Sequence, residues 1–365
     1  MKGFSHEDQK TVLCLLLCAA LGAAALAAGG TEDPLVSLSY LAGTFSNTVD
    51  REIEQRLDAS DAAITSGSSG SGSAANIASS WTEQRLKRSD CLTGSTGTSV
   101  LVLAGNVQVG FSSGAVVDVS AGTTVSSGTT LSTGHRYMVA EDTTAQFVVT
   151  GKTAVVDYQG PYALSYSGET DYNAMAAALK TLHLFQGSLT GYGQGYDLEA
   201  APTRLQALIM FIRVLGEEEQ ALAWSGTTPF TDIQPGSQAE QYVGYAYSKG
   251  YTNGYSATQF KPSGAVNAYQ YTEFVLRAMG YSSSSNTNLS DTLERAVSCG
   301  VLTAGEAAML QSDPFLRAEL VYISYYALDA VTSSGVTLAS ELESKGVFTS
   351  GELESARSMV SSWRL

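Results

Sequence analysis

A short phrase returns along the C-terminal half of this chain and constrains its fold more than any other feature. Ser248-Lys249-Gly250-Tyr251-Thr252-Asn253-Gly254, Ser298-Cys299-Gly300-Val301-Leu302-Thr303-Ala304-Gly305 and Ser344-Lys345-Gly346-Val347-Phe348-Thr349-Ser350-Gly351 share Ser-x-Gly, an apolar residue, a Thr and a closing Gly. Leu184-Phe185-Gln186-Gly187 is a fainter first copy. A glycine at a helix end takes positive φ without a Cβ clash and lets the next residues turn the chain. A second phrase follows the turn in the first three copies: Pro202-Thr203-Arg204 before Arg213-Val214-Leu215-Gly216, Val266-Asn267-Ala268 before Arg277-Ala278-Met279-Gly280, and Phe315-Leu316-Arg317-Ala318-Glu319 before Tyr326. Between them apolar residues fall at helical spacing, as in Leu205, Leu208, Ile209 and Ile212, or Tyr271, Phe274, Val275 and Ala278. The unit is therefore helix, turn, loop, helix, and stacked copies must share one core.

Upstream of Ser167 the period is 2 rather than 3.6. β-Branched runs at Val100 to Leu103, Val107 to Phe111, Val116 to Val119, Tyr137 to Val139, Phe147 to Val149 and Ala154 to Val156 are separated by glycines, including Gly105, Gly114, Gly122 and Gly151. Short strands punctuated in this way predict a compact all-β sandwich or barrel over 90–165. The fold class expected is α+β multidomain, with that β-domain followed by an all-α three-repeat bundle over 171–330 (about 171–216, 229–281 and 289–330). A helical segment over 33–64 and a Gly/Ser linker over 65–80, centred on SGSSGSGS, precede the β-domain. Residues 331–365 read as a helical cap, because Thr349-Ser350-Gly351-Glu352 has the form of a capping box.

At the start, Thr11 to Ala28 is an uncharged apolar run after Lys2 and Lys10, ending in the small-x-small pattern Ala25-Leu26-Ala27. That predicts an export signal over 1–28 and a secreted, cell-wall or cell-surface protein. An uncleaved anchor is the alternative, since the run is just long enough to span a bilayer, and it would be the chain's one contact with membrane. Neither Cys14 nor Cys18 follows the small residues that a lipid-attachment motif requires. Cys91 and Cys299 remain after cleavage and are expected as free thiols, since they fall in different domains. Cys299 takes the place of Lys249 and Lys345, a helix-end position that suits an exposed side chain rather than a catalytic thiol.

Charge decides which partners remain. The 365 residues carry 20 Lys plus Arg against 35 Asp plus Glu, and no stretch gathers the basic residues into a patch, so nucleic acid is excluded as a partner. No HExxH, phosphate loop or strand-borne GxGxxG is present, and the chain has 3 His in all. No catalytic residue, cofactor or metal site is assigned. The Gly191 to Gly195 phrase is placed in an inter-helix loop, and Glu217 to Glu219 in a solvated helix end. A carboxylate pair acting on a glycan is not excluded by sequence.

Phe230-Thr231-Asp232, the helix QYVGYAYSKG, the turn YTNGYSATQFKP and the helix TEFVLRAMG together resemble the S-layer homology domain of bacterial surface proteins. The resemblance covers 171–330 as three copies, strongest in the second. It implies three repeats packed as a pseudo-threefold bundle, with grooves between them that hold an anionic, often pyruvylated, secondary cell wall polysaccharide. In that family an arginine opening each repeat's second helix contacts the polymer's acid group. Arg204 and Arg317 match it, while Ala268 departs from it in the second copy. Asp232, Thr252, Asn253 and Gly254 match groove-shaping positions, and Tyr242 stands where the family often has Trp, as an apolar platform. Arginine suits the task independently, because its planar fork pairs a carboxylate through two parallel hydrogen bonds and stays charged. An intramolecular ion pair is the competing use of both arginines. The run Tyr242, Tyr245, Tyr247, Tyr251 and Tyr255 could form sugar-stacking surfaces, but helical spacing makes core and inter-repeat packing the expected use of most of them, with hydroxyls partnered at the rim. The function expected is a non-catalytic wall anchor; the alternatives are a wall-glycan hydrolase and a membrane-tethered β-domain scaffold or sensor.

Overall fold

The computed structural model describes residues 76–187, 192, 195–281 and 289–364. The expected export signal, the 33–64 helix, the linker as far as residue 75 and most of the Gly191 to Gly195 phrase lie outside the described residues.

Seven antiparallel strands form the β-domain: β1 (Asn76–Lys87), β2 (Cys91–Ser95), β3 (Ser99–Gly110), β4 (Ala115–Asp118), β5 (Thr123–Val125), β6 (Arg136–Ala140) and β7 (Thr144–Ser165). They run in the order β1-β7-β3-β6-β4-β5. The long β7 curls so that both of its ends flank β2, with Leu92 paired to Phe147 on one side and to Leu164 on the other. Alternation sends Val100, Val102, Val107, Val109, Phe147 and Val149 into one buried core.

Three details depart from the expected β-domain. Its first strand starts at Asn76, inside the expected linker and well before residue 90, because β1 is an edge strand whose polar, mostly exposed first half carries no alternation to read. The Phe147 and Ala154 runs belong to the single strand β7, and Gly151 lies within it rather than at a turn. Gly105 also lies inside a strand, at a register shift where φ is +83° and an added Cβ would meet the Thr153 carbonyl oxygen at 2.3 Å. Glycine there marks a bulge and a close backbone approach.

Ten described helices follow: α1 (Tyr172–Thr181), α2 (Arg204–Val214), α3 (Glu218–Leu222), α4 (Gln238–Ser248), α5 (Ala268–Ala278), α6 (Thr292–Ser298), α7 (Ala304–Ser312), α8 (Arg317–Ala327), α9 (Leu338–Ser344) and α10 (Ser350–Ser358). Side-chain caps start most of them, including full capping boxes at Thr203 with Gln206, Asn267 with Gln270 and Thr349 with Glu352. The glycines that end the repeated phrase's helices, Gly216, Gly250, Gly280, Gly300 and Gly346, all have positive φ.

Packing joins the repeats into a ring. The second helices α2, α5 and α8 touch one another pairwise, while α4 packs on α2, α6 on α5 and α1 on α8. The first helix of each repeat thus covers the second helix of the one before it, and α1 closes the circle. A single apolar cluster runs through all of them, with Phe211, Tyr271 and Tyr322 among its largest buried side chains. The third repeat differs from the expected unit because α7 replaces its loop. In the tail, α10 packs against α1. The β-domain meets the bundle at α1, and Arg85 of β1 donates to Asn173 at 2.9 Å and to Glu199 at 2.6 Å.

Candidate functional site

Two helix starts in the ring meet the loop of the next repeat, and these two junctions are built alike. The backbone N–H groups of Arg204 and Leu205 donate to the carbonyls of Gly264 (2.8 Å) and Pro262 (3.1 Å). Those of Arg317 and Ala318 donate to Ala200 (2.9 Å) and Leu198 (3.1 Å) in the equivalent loop. Both arginines are therefore fixed as the first residue of a helix laid against a neighbouring repeat. Beside each lies an open groove.

The first groove, of about 340 Å³, is lined by Arg204, by Thr252, Asn253, Gly254 and Tyr255 of the turn after α4, and by Gln270, Glu273, Phe274 and Arg277 of α5. Arg204 is 6% exposed; its Nε donates to the Phe260 carbonyl at 2.9 Å and its guanidinium lies over the Phe260 ring. Burial lowers its pKa and the Asp232 charge opposes that, so the group remains a cation. Asp232 itself sits behind the groove. Its two carboxylate oxygens accept the backbone N–H groups of Phe260 (2.9 Å) and Lys261 (2.7 Å). Desolvation works to raise its pKa, yet those donors and Arg204 hold the carboxyl below the usual range. Glu273 is buried between Arg277 (3.0 Å) and Arg295 (2.9 Å), so one carboxylate faces two arginines and the groove's charge is positive within an acidic body.

The turn owes its shape to local constraints. Thr252 is buried and its hydroxyl oxygen accepts the Gly254 N–H at 3.1 Å. Gly254 has φ +79°, and a Cβ there would lie 2.3 Å from the Phe230 ring, so only glycine fits. Asn253 is exposed at the turn.

The second groove, of about 200 Å³, is lined by Arg317, Phe185, Gln186 and Pro202, and by Gln206, Ile209, Met210 and Arg213 of α2. These α2 positions are the equivalents of the Gln270, Glu273, Phe274 and Arg277 of α5. The Arg317 guanidinium lies over the Phe185 ring at 5.8 Å. Its Nε is buried without a hydrogen-bond partner among the described residues. Burial lowers the Arg317 pKa, opposed by Asp197. Arg213 is paired with Glu218 at 2.7 Å.

The third junction holds no arginine at the helix start. Ala268 occupies the arginine's place, and the equivalent α8 positions are Glu319, Tyr322, Ile323 and Tyr326. Cations come instead from outside the repeats. Lys152 of β7 pairs with buried Glu319 and, at 2.9 Å, with Asp313. Arg364 of the tail donates to the fully buried Glu306 at 2.7 and 2.9 Å and to the Val301 carbonyl at 2.8 Å, while its guanidinium lies over the Tyr326 ring. Glu306 also accepts the Tyr322 hydroxyl at 2.9 Å.

The sequence-derived residues thus separate. Arg204, Thr252, Asn253 and Gly254 share the first groove, Asp232 supports it from behind, and Arg317 belongs to the second. Tyr242 lines neither groove: it is buried and its hydroxyl donates to Glu218 at 2.5 Å, with burial and that carboxylate pushing its pKa up to about 12. Glu217 and Glu218 are not a solvated helix end, because Glu217 accepts the hydroxyls of both Tyr245 and Tyr251 at 2.9 Å. Helical spacing in α4 places Tyr242 and Tyr245 beside the two acids and the turn after it adds Tyr251, which the run of charge alone did not reveal. Sequence reasoning had Tyr255 only as one of five tyrosines that could stack on sugar, and it missed Glu273, Arg277 and Arg213 as groove residues, although Arg213 and Arg277 end equivalent helices in the repeated phrase.

No three His, Cys, Asp or Glu side chains among the described residues cluster as a cation site. His135 is held by Asp118 at 2.8 Å, His183 by Glu352 at 3.3 Å, and Cys91 and Cys299 are free thiols, both partly buried. Among the described residues no helix is long and apolar enough to cross a membrane.

Residues 229–267 match the S-layer homology domain. The match begins just before Phe230, takes in Asp232, α4 and the turn lining the first groove, and ends at the cap of α5. No curated protein matches the chain. The domain implies a protein anchored to the cell wall at the cell surface.

Proposed function

We propose that this protein is a non-catalytic wall anchor that holds an anionic secondary cell wall polysaccharide in its first and second grooves, one acid group at Arg204 and one at Arg317. The observation that carries this reading is the Arg317 guanidinium: its Nε is buried and without a partner among the described residues, beside a groove whose other cation is Arg213. A buried donor without an acceptor is costly, and a ligand carboxylate would supply the acceptor in the bidentate form that arginine favours. Arg204, equivalent in helix position and loop pairing, makes the second contact. Two acid groups on one repeating polymer then bind with avidity that neither groove has alone. The third junction, filled by the protein's own Lys152 and Arg364, takes no polymer in this reading.

The test is binding of the full chain to isolated walls, before and after the secondary polymer is stripped. Stripping should abolish binding, and the double variant Arg204→Ala/Arg317→Ala should lose it by about 100-fold or more, as expected for two charge-assisted contacts. Unchanged binding in either case would overturn the assignment. Release of reducing sugar from the walls by the wild-type chain would remove the word non-catalytic.

A further inference from the structure

Of the five tyrosines around α4, three are committed to the acids of α3 and its cap: Tyr242 to Glu218, and Tyr245 and Tyr251 to Glu217. Tyr255 is not. It is 59% exposed and lines the first groove beside Arg204 and Arg277. The Lys261 ammonium lies 3.4 Å from the centre of its ring. A cation at that distance restrains an aromatic side chain that would otherwise sample several rotamers.

Its backbone is equally restrained. The N–H groups of Tyr255 and Ser256 both donate to the Gln259 carbonyl, at 2.7 and 3.0 Å, and close the turn on itself. Lys261 has φ +59°, a left-handed conformation that a lysine adopts only when its surroundings hold it there. The Asp232 carboxylate does so by binding the N–H groups of Phe260 and Lys261. The same Phe260 carbonyl receives the Arg204 Nε. One carboxylate therefore sets the positions of both the groove's arginine and the cation that holds its exposed ring.

We infer that Tyr255 is a sugar-stacking platform, and that the first groove reads two features of its ligand together, an acid group at Arg204 and the uncharged sugar ring next to it on Tyr255. The inference rests on the proposed polysaccharide function and deepens it. Apolar C–H faces of a sugar pack on an aromatic ring, and a ring already fixed in place loses little freedom when they do. The second groove offers no such surface among the described residues: its aromatic, Phe185, is buried beneath Arg317. The two grooves therefore differ in specificity. The first retains affinity for sugar without its acid group, whereas the second depends on the acid.

The test uses the full chain carrying Arg317→Ala, which leaves the first groove alone, and two probes. These are secondary wall polysaccharide released from isolated walls, and the same preparation after mild acid has removed its ketal-linked acid groups. Tyr255→Ala should weaken binding of the intact polymer about tenfold and abolish the residual binding of the acid-free polymer, while Tyr255→Trp retains both. Arg204→Ala should do the reverse, losing the intact polymer's advantage but keeping the acid-free affinity. Equal melting temperatures for the Ala and Trp variants exclude a folding defect. If Tyr255→Ala binds both probes as its parent does while Arg204→Ala is impaired, the platform is wrong and the anchor function stands. If neither substitution changes binding, the polysaccharide reading itself falls.

Discussion

The three junctions of the helical ring share an arrangement of helices and end in two different chemistries. At the first and second, a cation belongs to the repeat itself, placed at the start of α2 or α8 where backbone pairing to the next loop fixes it. At the third, the repeat contributes acids, Glu306 and Glu319, and the cations arrive from β7 and from the tail. What the comparison teaches is that pseudosymmetry of the fold does not entail symmetry of use. A junction supplied with its own arginine keeps an open groove beside it, and the junction supplied with carboxylates binds Lys152 of β7 and Arg364 of the tail.

The largest expected effect follows from breaking that attachment at the tail. Arg364 is the only charged partner of Glu306 among the described residues, and Glu306 is fully buried. Arg364→Ala therefore leaves a buried carboxylate with the Tyr322 hydroxyl and its capping bonds alone, which costs about 3 kcal/mol. A lowered melting temperature with polymer affinity at the first groove unchanged would mark the third junction as structural. A gain of polymer binding sites in this variant would break the comparison, since it would make the third junction a plugged copy of the other two.

Lys152→Ala should act next in size, and with a dependence on pH. Burial pushes the Glu319 carboxyl above its ordinary range, opposed by Lys152 and by the Leu316 N–H. A raised folded-state pKa means that the folded protein holds the proton more tightly than the unfolded chain does. The carboxyl's contribution to stability is thus greatest in acid and is lost as pH rises through the folded pKa. Removing Lys152 raises that pKa further. The variant's deficit, about 2 kcal/mol at neutral pH, should shrink as pH falls toward 4.5, because a protonated Glu319 no longer needs a cation. Melting curves of both chains from pH 4 to pH 8 check this, and a deficit independent of pH would show that Lys152 acts through packing instead.

Much of this architecture was legible in the sequence because the repeat carries it. Helix ends, caps and the position of Arg204 follow from glycines with positive φ and from Thr or Asn three residues ahead of Gln, and the position of Arg317 from its place in the repeated phrase. The same reasoning failed where a residue's role depends on a partner distant in the chain. The edge strand β1 has too little alternation to announce itself, and Gly105 and Gly151 read as turns although the strands run through them. Tyr242 looked like a platform because its helix matched the expected helix, yet which face α4 buries is decided by α3 and the acids beside it. Tyr255 reads in the sequence as one of five tyrosines that could stack on sugar, and the turn's closure on Gln259 is what brings it to the groove while three of the others bind acids.

The smallest effect belongs to the arginine side of the comparison. Asp232 is exposed, so the two N–H groups it binds would find water if it were lost, and Asp232→Asn should cost only about 0.5 kcal/mol of stability. Its folded pKa is depressed, so that contribution is present above the unfolded value of 3.8 and is lost as pH falls through the folded one. Geometry is the larger consequence. An amide offers one acceptor oxygen where the carboxylate offers two, which releases either the Phe260 or the Lys261 backbone and loosens the carbonyl that holds Arg204. In a chain with Arg317→Ala, Asp232→Asn should therefore weaken polymer binding several-fold with almost no change in melting temperature. The reverse pattern, a clear loss of stability at constant affinity, would place Asp232 among the structural acids with Glu306 and remove the distinction between the junctions at this residue.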